Sequence, residues 1–231
     1  MSCILITGTS HGLGNDLTKY YLDKGHIVYG CSRSVPTLSH SNYKHFILDI
    51  RNPLDVSAMF SDIRKMGNPI EILINNAGIS QTSLTIATPD EVATNIIQTN
   101  LLGTYFVTRA ALKDMLRSNY GRIVNFSSIN LPQGSIGSAV YNASKAGIEG
   151  LTVALSREFG RANITINTIG LSLVSNSGML KELSERASLT KREQLIKGEI
   201  LNIEEIIHAI DFITSPISKN ITCQKIYFGG A

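Results

Sequence analysis

Tyr141 and Lys145 bracket the run Tyr-Asn-Ala-Ser-Lys, and four residues is the separation at which two side chains share one face of a helix. A tyrosine phenol, with an ordinary pKa of about 10, is a poor base at neutral pH. An ammonium ~5 Å away, at an effective dielectric of ~20, favours the phenolate by about 3 kcal/mol, or roughly two pKa units. That would bring Tyr141 toward the range in which a general acid or base works. Ser128 ends the run Ile123-Val124-Asn125-Phe126-Ser127-Ser128 and could donate to an oxygen on which charge develops. The chemistry suggested is proton transfer at a substrate oxygen, the partner reaction of hydride transfer. Tyr-x-x-x-Lys alone also describes a surface tyrosine and lysine beside a polar loop. The elements around it must decide.

Those elements alternate between strand and helix. Ile123 to Phe126 reads as a short buried strand, a Gly-, Ser- and Pro-rich loop follows, and good helix formers run from Tyr141 to Phe159. At the start of the chain, Cys3 to Thr7 reads as a buried strand and Asn15 to Lys24 as a helix. Between them lies Gly8-Thr-Ser-His-Gly12-Leu-Gly14. Gly8 would permit the tight turn, Gly12 the approach of backbone N–H groups to a pyrophosphate, and Gly14 close packing of helix on sheet. The spacing, G-x-x-x-G-x-G, departs from the commoner G-x-G-x-x-G. Ser10, His11 and Leu13 lie inside this loop and join the glycines as cofactor-binding candidates, His11 as an aid to a phosphate.

His26 to Cys31 reads as a second strand with Ser32-Arg33-Ser34 at its C-terminal end. An acid at this point favours a free ribose 2′-hydroxyl and an arginine accommodates a 2′-phosphate. Arg33 therefore favours NADP over NAD, with NAD(H) the other candidate. Lys44 to Asp49 reads as the third strand, and Asp49-Ile50 could receive an adenine ring. Pro53 to Met66 has helical spacing. Ile70 to Ile74 reads as the fourth strand, running into Asn75-Asn76-Ala77-Gly78, small and amide residues able to approach a cofactor. Pro89 to Arg117 reads as one long helix or two, carrying Asn100, which could kink the helix and hold a water. Ile164 to Thr168, Leu201 to Thr214 and Gln224 to Phe228 read as strand, helix and final strand. Ser172 to Gly198 is polar, without aromatics, and reads as a lid over a substrate pocket.

Composition narrows the class. The chain has 231 residues, 43% hydrophobic and 17% charged, as expected of one globular domain spanning residues 1–231. A formal charge of +3, with no basic run, argues against nucleic acid. Cys3, Cys31 and Cys223 are far apart, without CxxC or metal-ligand spacing, so no metal is expected and a reducing compartment is. No run approaches the ~20 apolar residues that cross a membrane. A soluble cytoplasmic protein is the expectation.

Taken together, Thr7-Gly8-x-x-x-Gly12-x-Gly14, Asn75-Asn76-Ala77-Gly78, Asn100, Ser128 and Tyr141-x-x-x-Lys145 resemble the short-chain dehydrogenase/reductases, in that family's order and along essentially the whole chain. The likeness is to small single-domain members that include 3-oxoacyl carrier-protein reductases and sugar or polyol dehydrogenases. The resemblance implies an α/β fold, a doubly wound Rossmann-type parallel sheet of about seven strands with helices on both faces. It implies a catalytic tetrad at Asn100, Ser128, Tyr141 and Lys145, with Lys145 also holding the nicotinamide ribose beside Tyr141 and Asn100 fixing a water as part of a proton relay. It also implies dimers or tetramers through helices near residues 101–117 and 141–160. The chain departs from the pattern where Leu171-Ser172 replaces Pro-Gly, where Asn176 stands for the threonine that contacts the nicotinamide amide, and where Phe228-Gly229-Gly230 replaces Asp-Gly-Gly. The leading expectation is an NADP(H)-dependent oxidoreductase interconverting a ketone and a secondary alcohol of small-molecule size. The alternative is a dinucleotide-binding sensor or partner protein with little turnover. A sugar-nucleotide epimerase or dehydratase, which usually carries a larger C-terminal domain, is a weaker rival.

Overall fold

Every residue from Cys3 to Thr7 is buried, so this first strand, β1, must satisfy both faces of a sheet. Successive side chains point to opposite faces. Ile4 and Ile6 pack in one apolar layer with Leu17 and Tyr21. Leu5 packs in the other with Phe60 and Val107. The same division recurs in the later strands, where Ile72 and Ile74 join the first layer and Leu73 and Ile123 the second. Fully buried strands of this kind belong to parallel sheets covered on both sides.

The computed structural model describes residues 1–175, 188–189 and 192–230. Its seven strands are β1, β2 (Ile27–Ser32), β3 (Tyr43–Ile47), β4 (Ile72–Asn75), β5 (Gly121–Ser128), β6 (Ile164–Leu171) and β7 (Lys225–Tyr227). They form one sheet in the order β3-β2-β1-β4-β5-β6-β7. All neighbours are parallel. One face carries α1 (Gly12–Asp23) and α7 (Ile203–Thr214); the other carries α2 (Pro53–Lys65), α4 (Thr104–Ser118) and α6 (Ala139–Glu158). This is the doubly wound sheet that the motifs implied. Between β3 and β4 the chain crosses from the sheet edge to the far side of β1, which opens a crevice at the C-terminal strand ends.

Local chemistry explains the helix boundaries. Asn52 caps α2 by accepting from the Leu54 N–H at 3.0 Å, with Pro53 at the first position and Asp55 in the first turn. Asn202 and Glu205 form a reciprocal capping box at the start of α7. The long helical stretch from Pro89 resolves into α3 (Asp90–Ile97) and α4, joined by a π-helical turn at Gln98–Gly103 that contains Asn100. The loop after Ser128 contains a short helix, α5 (Asn130–Gln133).

The sixth strand runs past Thr168 to Leu171, which pairs with Ser128 and accepts from the Ile129 N–H at 2.9 Å. The chain thus continues as strand through the position where the family pattern would place a proline. Of the expected lid, Asn176 and its neighbours lie outside the described residues. The two ends of that excursion meet: Val174 and Leu201 form a bridge, and the Ser175 N–H donates to Leu201 O at 2.9 Å. Among the described residues of this stretch, Val174 and Leu195 are buried.

Candidate active site

The crevice is a cleft of about 800 Å³. In sheet order, Arg33, Asp49 and Ile50 line one end and Ser128, Tyr141 and Lys145 the other. Gly8, Ser10, His11, Gly12, Leu13 and Gly14 lie between, facing Asn76, Ala77 and Gly78. All these residues singled out in the sequence therefore meet in one cavity. Asn100 stands behind it, and Asn176 falls outside the described residues.

Gly8 adopts φ +75° and Gly12 φ +58°, the left-handed region that suits glycine. At Gly14 the constraint is space, since a Cβ would lie 2.2 Å from Gly8 O. This contact brings the loop onto the first turn of α1. His11, the N-cap residue, makes no side-chain capping bond, and the first turn of α1 holds no acid. Its leading N–H groups and its dipole therefore suit an anion. His11 Nδ1 lies 2.9 Å from Ser10 Oγ on the exposed rim. Asn76 ties the opposite wall to this loop, its Nδ2 donating to Thr7 O at 2.8 Å and to Gly8 O at 3.2 Å. Thr7 Oγ1 accepts from the N–H groups of Asn76 and Ala77 at 3.0 and 2.9 Å.

Asn100 is fully buried in the π-helical turn. Its Oδ1 accepts from the Ile79 N–H at 2.8 Å, and its Nδ2 donates to Ile79 O at 2.9 Å and to Ser144 Oγ at 3.0 Å. Both polar atoms of the side chain hold the loop after β4 against α6. π turns inside α-helices are rare and occur frequently at functional sites. Gly78 lies between Asn100 and Lys145; a Cβ there would stand 3.3 Å from Asn100 Oδ1 and 3.7 Å from Lys145 Nζ.

At the end of β5, Ser128 Oγ accepts from the Asn130 N–H at 3.2 Å, so its own proton is available to an oxygen in the cleft. Tyr141 and Lys145 extend from the first turns of α6 and both are buried. Lys145 Nζ donates to Phe126 O at 2.8 Å and lies 5.6 Å from the Tyr141 ring centroid. The electrostatics correct the simple pairing expected from spacing. Burial raises the Tyr141 phenol above its ordinary value, and the neighbouring Ser128 hydroxyl offsets part of the rise. Burial also lowers Lys145 to about 8. Desolvation dominates at both groups, and the phenol is held in its protonated form.

At the other end Asp49 is clasped by Arg51, through Nε at 2.8 Å and Nη2 at 2.6 Å. Those hydrogen bonds hold the Asp49 carboxyl below its ordinary value against the effect of burial, with Arg33 contributing. Arg33 itself is exposed.

Two buried polar clusters near the cleft join residues that lie far apart in sequence. Asn75 Nδ2 donates to Asn125 Oδ1 at 2.8 Å, and Asn125 Nδ2 to Thr152 Oγ1 at 2.9 Å, which crosslinks β4, β5 and α6 beneath the cleft. Glu149, one helical turn beyond Lys145, accepts from Ser127 Oγ at 2.7 Å and from the Tyr227 hydroxyl, and pairs with Lys225 at 2.8 Å. An acid four residues after Lys145 on a helix of small and apolar residues is the only sequence signal Glu149 offers.

Parallel strands wound both ways around a crevice, with a glycine turn at its centre and Ser, Tyr and Lys at one end, define a dinucleotide-dependent oxidoreductase. The chain belongs to the short chain dehydrogenase family, whose model matches residues 2–188. It is 29% identical over 232 residues to the 3-oxoacyl-acyl-carrier-protein reductase FabG of Vibrio cholerae, covering 98% of this chain and 95% of that enzyme. Among solved structures, actinorhodin polyketide ketoreductase with NADPH superposes with a TM-score of 0.88 at 26% identity, over 99% of this chain and 96% of that one. 4-Hydroxyisoleucine dehydrogenase complexed with NADH gives a TM-score of 0.86 at 24% identity, over 100% and 98% of the two chains. Among the described residues no helix is long and apolar enough to cross a membrane, and no cluster of His, Cys, Asp and Glu could hold a metal ion.

Proposed function

We propose that the protein is an NADP(H)-dependent reductase that interconverts a ketone and a secondary alcohol. The observation that carries this reading is the meeting of buried Ser128, Tyr141 and Lys145 at one end of a cleft whose other end presents Arg33. The residues present fit the cofactor. The uncapped N-terminus of α1 and the close approach permitted by Gly14 suit a pyrophosphate. Gly8, Ser10, His11, Gly12, Leu13 and Gly14 would hold it. Asp49 and Ile50 would border the adenine, Asn76, Ala77 and Gly78 the central part, and Lys145 and Tyr141 the nicotinamide ribose. Asn176 is assigned to the nicotinamide amide. When bound, the nicotinamide supplies the hydride.

The chain's own residues manage the proton. Tyr141, protonated, gives its phenolic hydrogen to the substrate oxygen in reduction and recovers it in oxidation. Ser128 donates a hydrogen bond to that oxygen as its charge grows. Lys145, whose ammonium lies beside the ring, stabilises the phenolate left behind. Asn100 keeps the loop after β4 and α6 in register around them and completes the relay to solvent.

One solved relative is described with NADPH and another with NADH, so cofactor choice must rest on this chain's residues. Arg33, with no acid beside it in Ser32-Arg33-Ser34, supports the 2′-phosphate reading. The curated relative named as a 3-oxoacyl carrier-protein reductase supports a carbonyl substrate, here taken to be polar or carrier-linked. Residues 172–198 would close over it as a lid. Two copies or four would associate through α4 and α6 in the cytoplasm, where the three unpaired cysteines are at home.

Fluorescence titration with NADPH and NADH, followed by NADPH oxidation with 3-oxoacyl thioesters, cyclic ketones and keto-sugars, tests this reading. The expected result is tighter NADPH binding, by about tenfold or more, and turnover of at least one carbonyl class. Tighter NADH binding would overturn the role of Arg33, and binding of neither nucleotide would overturn the oxidoreductase mechanism.

A further inference from the structure

Resting on the NADP(H) reading, we propose that His45 is a positioning residue for cofactor choice: it locks the Ser32–Ser34 turn to the glycine loop, so that Arg33 is held where a 2′-phosphate arrives.

Arg33 is long and exposed, so its place is set by the backbone on either side of it. That backbone is anchored from β3, the edge strand. Tyr43 and His45, two residues apart, share the face turned toward the glycine loop. His45 Nε2 lies 3.2 Å from Ser34 O. A carbonyl only accepts, so Nε2 carries the proton and Nδ1 is the acceptor. The Tyr43 hydroxyl lies 2.8 Å from Nδ1 and 3.0 Å from Thr9 Oγ1, and Thr9 Oγ1 is itself 3.2 Å from Nδ1. Ser32 Oγ donates to Ser34 O at 2.8 Å and lies 3.1 Å from Nε2. One imidazole thus spans two ligand-facing loops, with Ser34 O on one nitrogen and Thr9 and Tyr43 on the other.

Two further observations show that the junction is built. Gly30 pairs with His45 in the sheet, and a Cβ on it would lie 2.4 Å from the Tyr43 hydroxyl and 2.6 Å from Thr9 Oγ1. Only glycine leaves room for the cluster. The turn is tied to the glycine loop a second time, by the Gly8 and Thr9 N–H groups on Cys31 O at 2.7 and 3.4 Å. Burial lowers the His45 pKa, which keeps the neutral ring that can both donate and accept.

A fault at this junction should act selectively. NADH carries no 2′-phosphate and is indifferent to where Arg33 sits. NADPH loses a charge-assisted contact when Arg33 moves. A merely structural role for His45 would weaken both nucleotides alike.

The test is fluorescence titration of wild type, His45→Ala, His45→Gln, Ser32→Ala and Arg33→Ala with NADPH and with NADH. His45→Ala should raise the NADPH Kd by about tenfold and change the NADH Kd by less than about twofold. His45→Gln, whose amide can still donate to Ser34 O, should recover most of the loss. Ser32→Ala should shift the ratio in the same direction by less, and it serves if His45→Ala does not fold. Arg33→Ala sets the limit. If Arg33→Ala removes the NADPH preference while His45→Ala and Ser32→Ala leave it intact, the inference fails and the NADP(H) reading stands. Equal losses for both nucleotides in His45→Ala also sink it. An unchanged ratio in Arg33→Ala overturns the 2′-phosphate reading together with this inference.

Discussion

At the proposed reacting end of the cleft, Ser128, Tyr141 and Lys145 are 6%, 6% and 5% exposed; Ser128 ends the wholly buried β5, and Tyr141 and Lys145 stand on the buried face of α6. At the adenosine end, Arg33 is exposed, and it projects from a turn next to the edge strand β3. On the proposed reading, the groups that would move protons are thus desolvated and fixed, and the group that would choose the nucleotide is hydrated and held from one side. Desolvation makes electrostatics strong and shifts both pKa values at the reacting end. Hydration at the other end screens Arg33, so its proposed influence on the nucleotide should be tunable. Under that reading, cofactor choice could change through a few loop residues without disturbing the proton chemistry.

The largest effect expected from breaking this contrast comes from Tyr141→Phe. The ring still fills its buried site, but the proton donor is gone. Turnover should fall by roughly 10²–10⁴-fold, while both nucleotides still bind. Steady-state kinetics and fluorescence titration on the same preparation separate the two. Unchanged turnover would remove Tyr141 from the chemistry.

How much of this was legible in the sequence follows from how far apart the partners lie. Tyr141 and Lys145 were readable because a helix brings residues four apart together. Gly8, Gly12 and Gly14 were readable because a single strand–turn–helix unit contains them all. Glu149 was not, since Ser127, Lys225 and Tyr227 reach it from β5 and β7. The partners of the Asn100 amide, Ile79 and Ser144, sit 21 and 44 residues away, a separation no local pattern announces. The direction of the Tyr141 shift was missed for the same reason. Spacing gives the Coulomb attraction of two groups, but their loss of water depends on everything packed around them. His45 belongs here too: nothing in the local pattern of β3 announces that its ring meets Thr9 from the first loop.

A second effect, smaller than the loss of Tyr141, separates the ends by pH. The Lys145 ammonium is lost as pH rises through about 8. kcat/KM reports groups of the free enzyme. For carbonyl reduction it should therefore fall above about pH 8, approaching tenfold per pH unit as a single required proton is lost. The NADPH-to-NADH binding ratio should show no inflection there, because the proposed selector is a guanidinium, a group that does not titrate in proteins. A rate profile flat to about pH 10 would remove the requirement for the Lys145 ammonium.

The smallest effect tests why the reacting end is rigid. Glu149 clamps α6 to β5 and β7 through Ser127, Tyr227 and Lys225. Burial opposes its ionisation, but the hydrogen bonds from Lys225, Tyr227 and Ser127 outweigh burial and hold its carboxyl below the ordinary value of 4.5. Glu149→Gln keeps the shape and loses the charge. It should cost about 1–3 kcal/mol at pH 7, seen as a fall of roughly 2–4 °C in Tm per kcal/mol. Because the folded pKa lies below the unfolded one, the stabilisation is complete above about 4.5 and is lost as pH falls through the folded value. The difference in Tm between wild type and Glu149→Gln should therefore shrink in acid. No difference in Tm at pH 7 would mean that shape, and not charge, does the clamping. The contrast between the two ends of the cleft would then rest on packing alone.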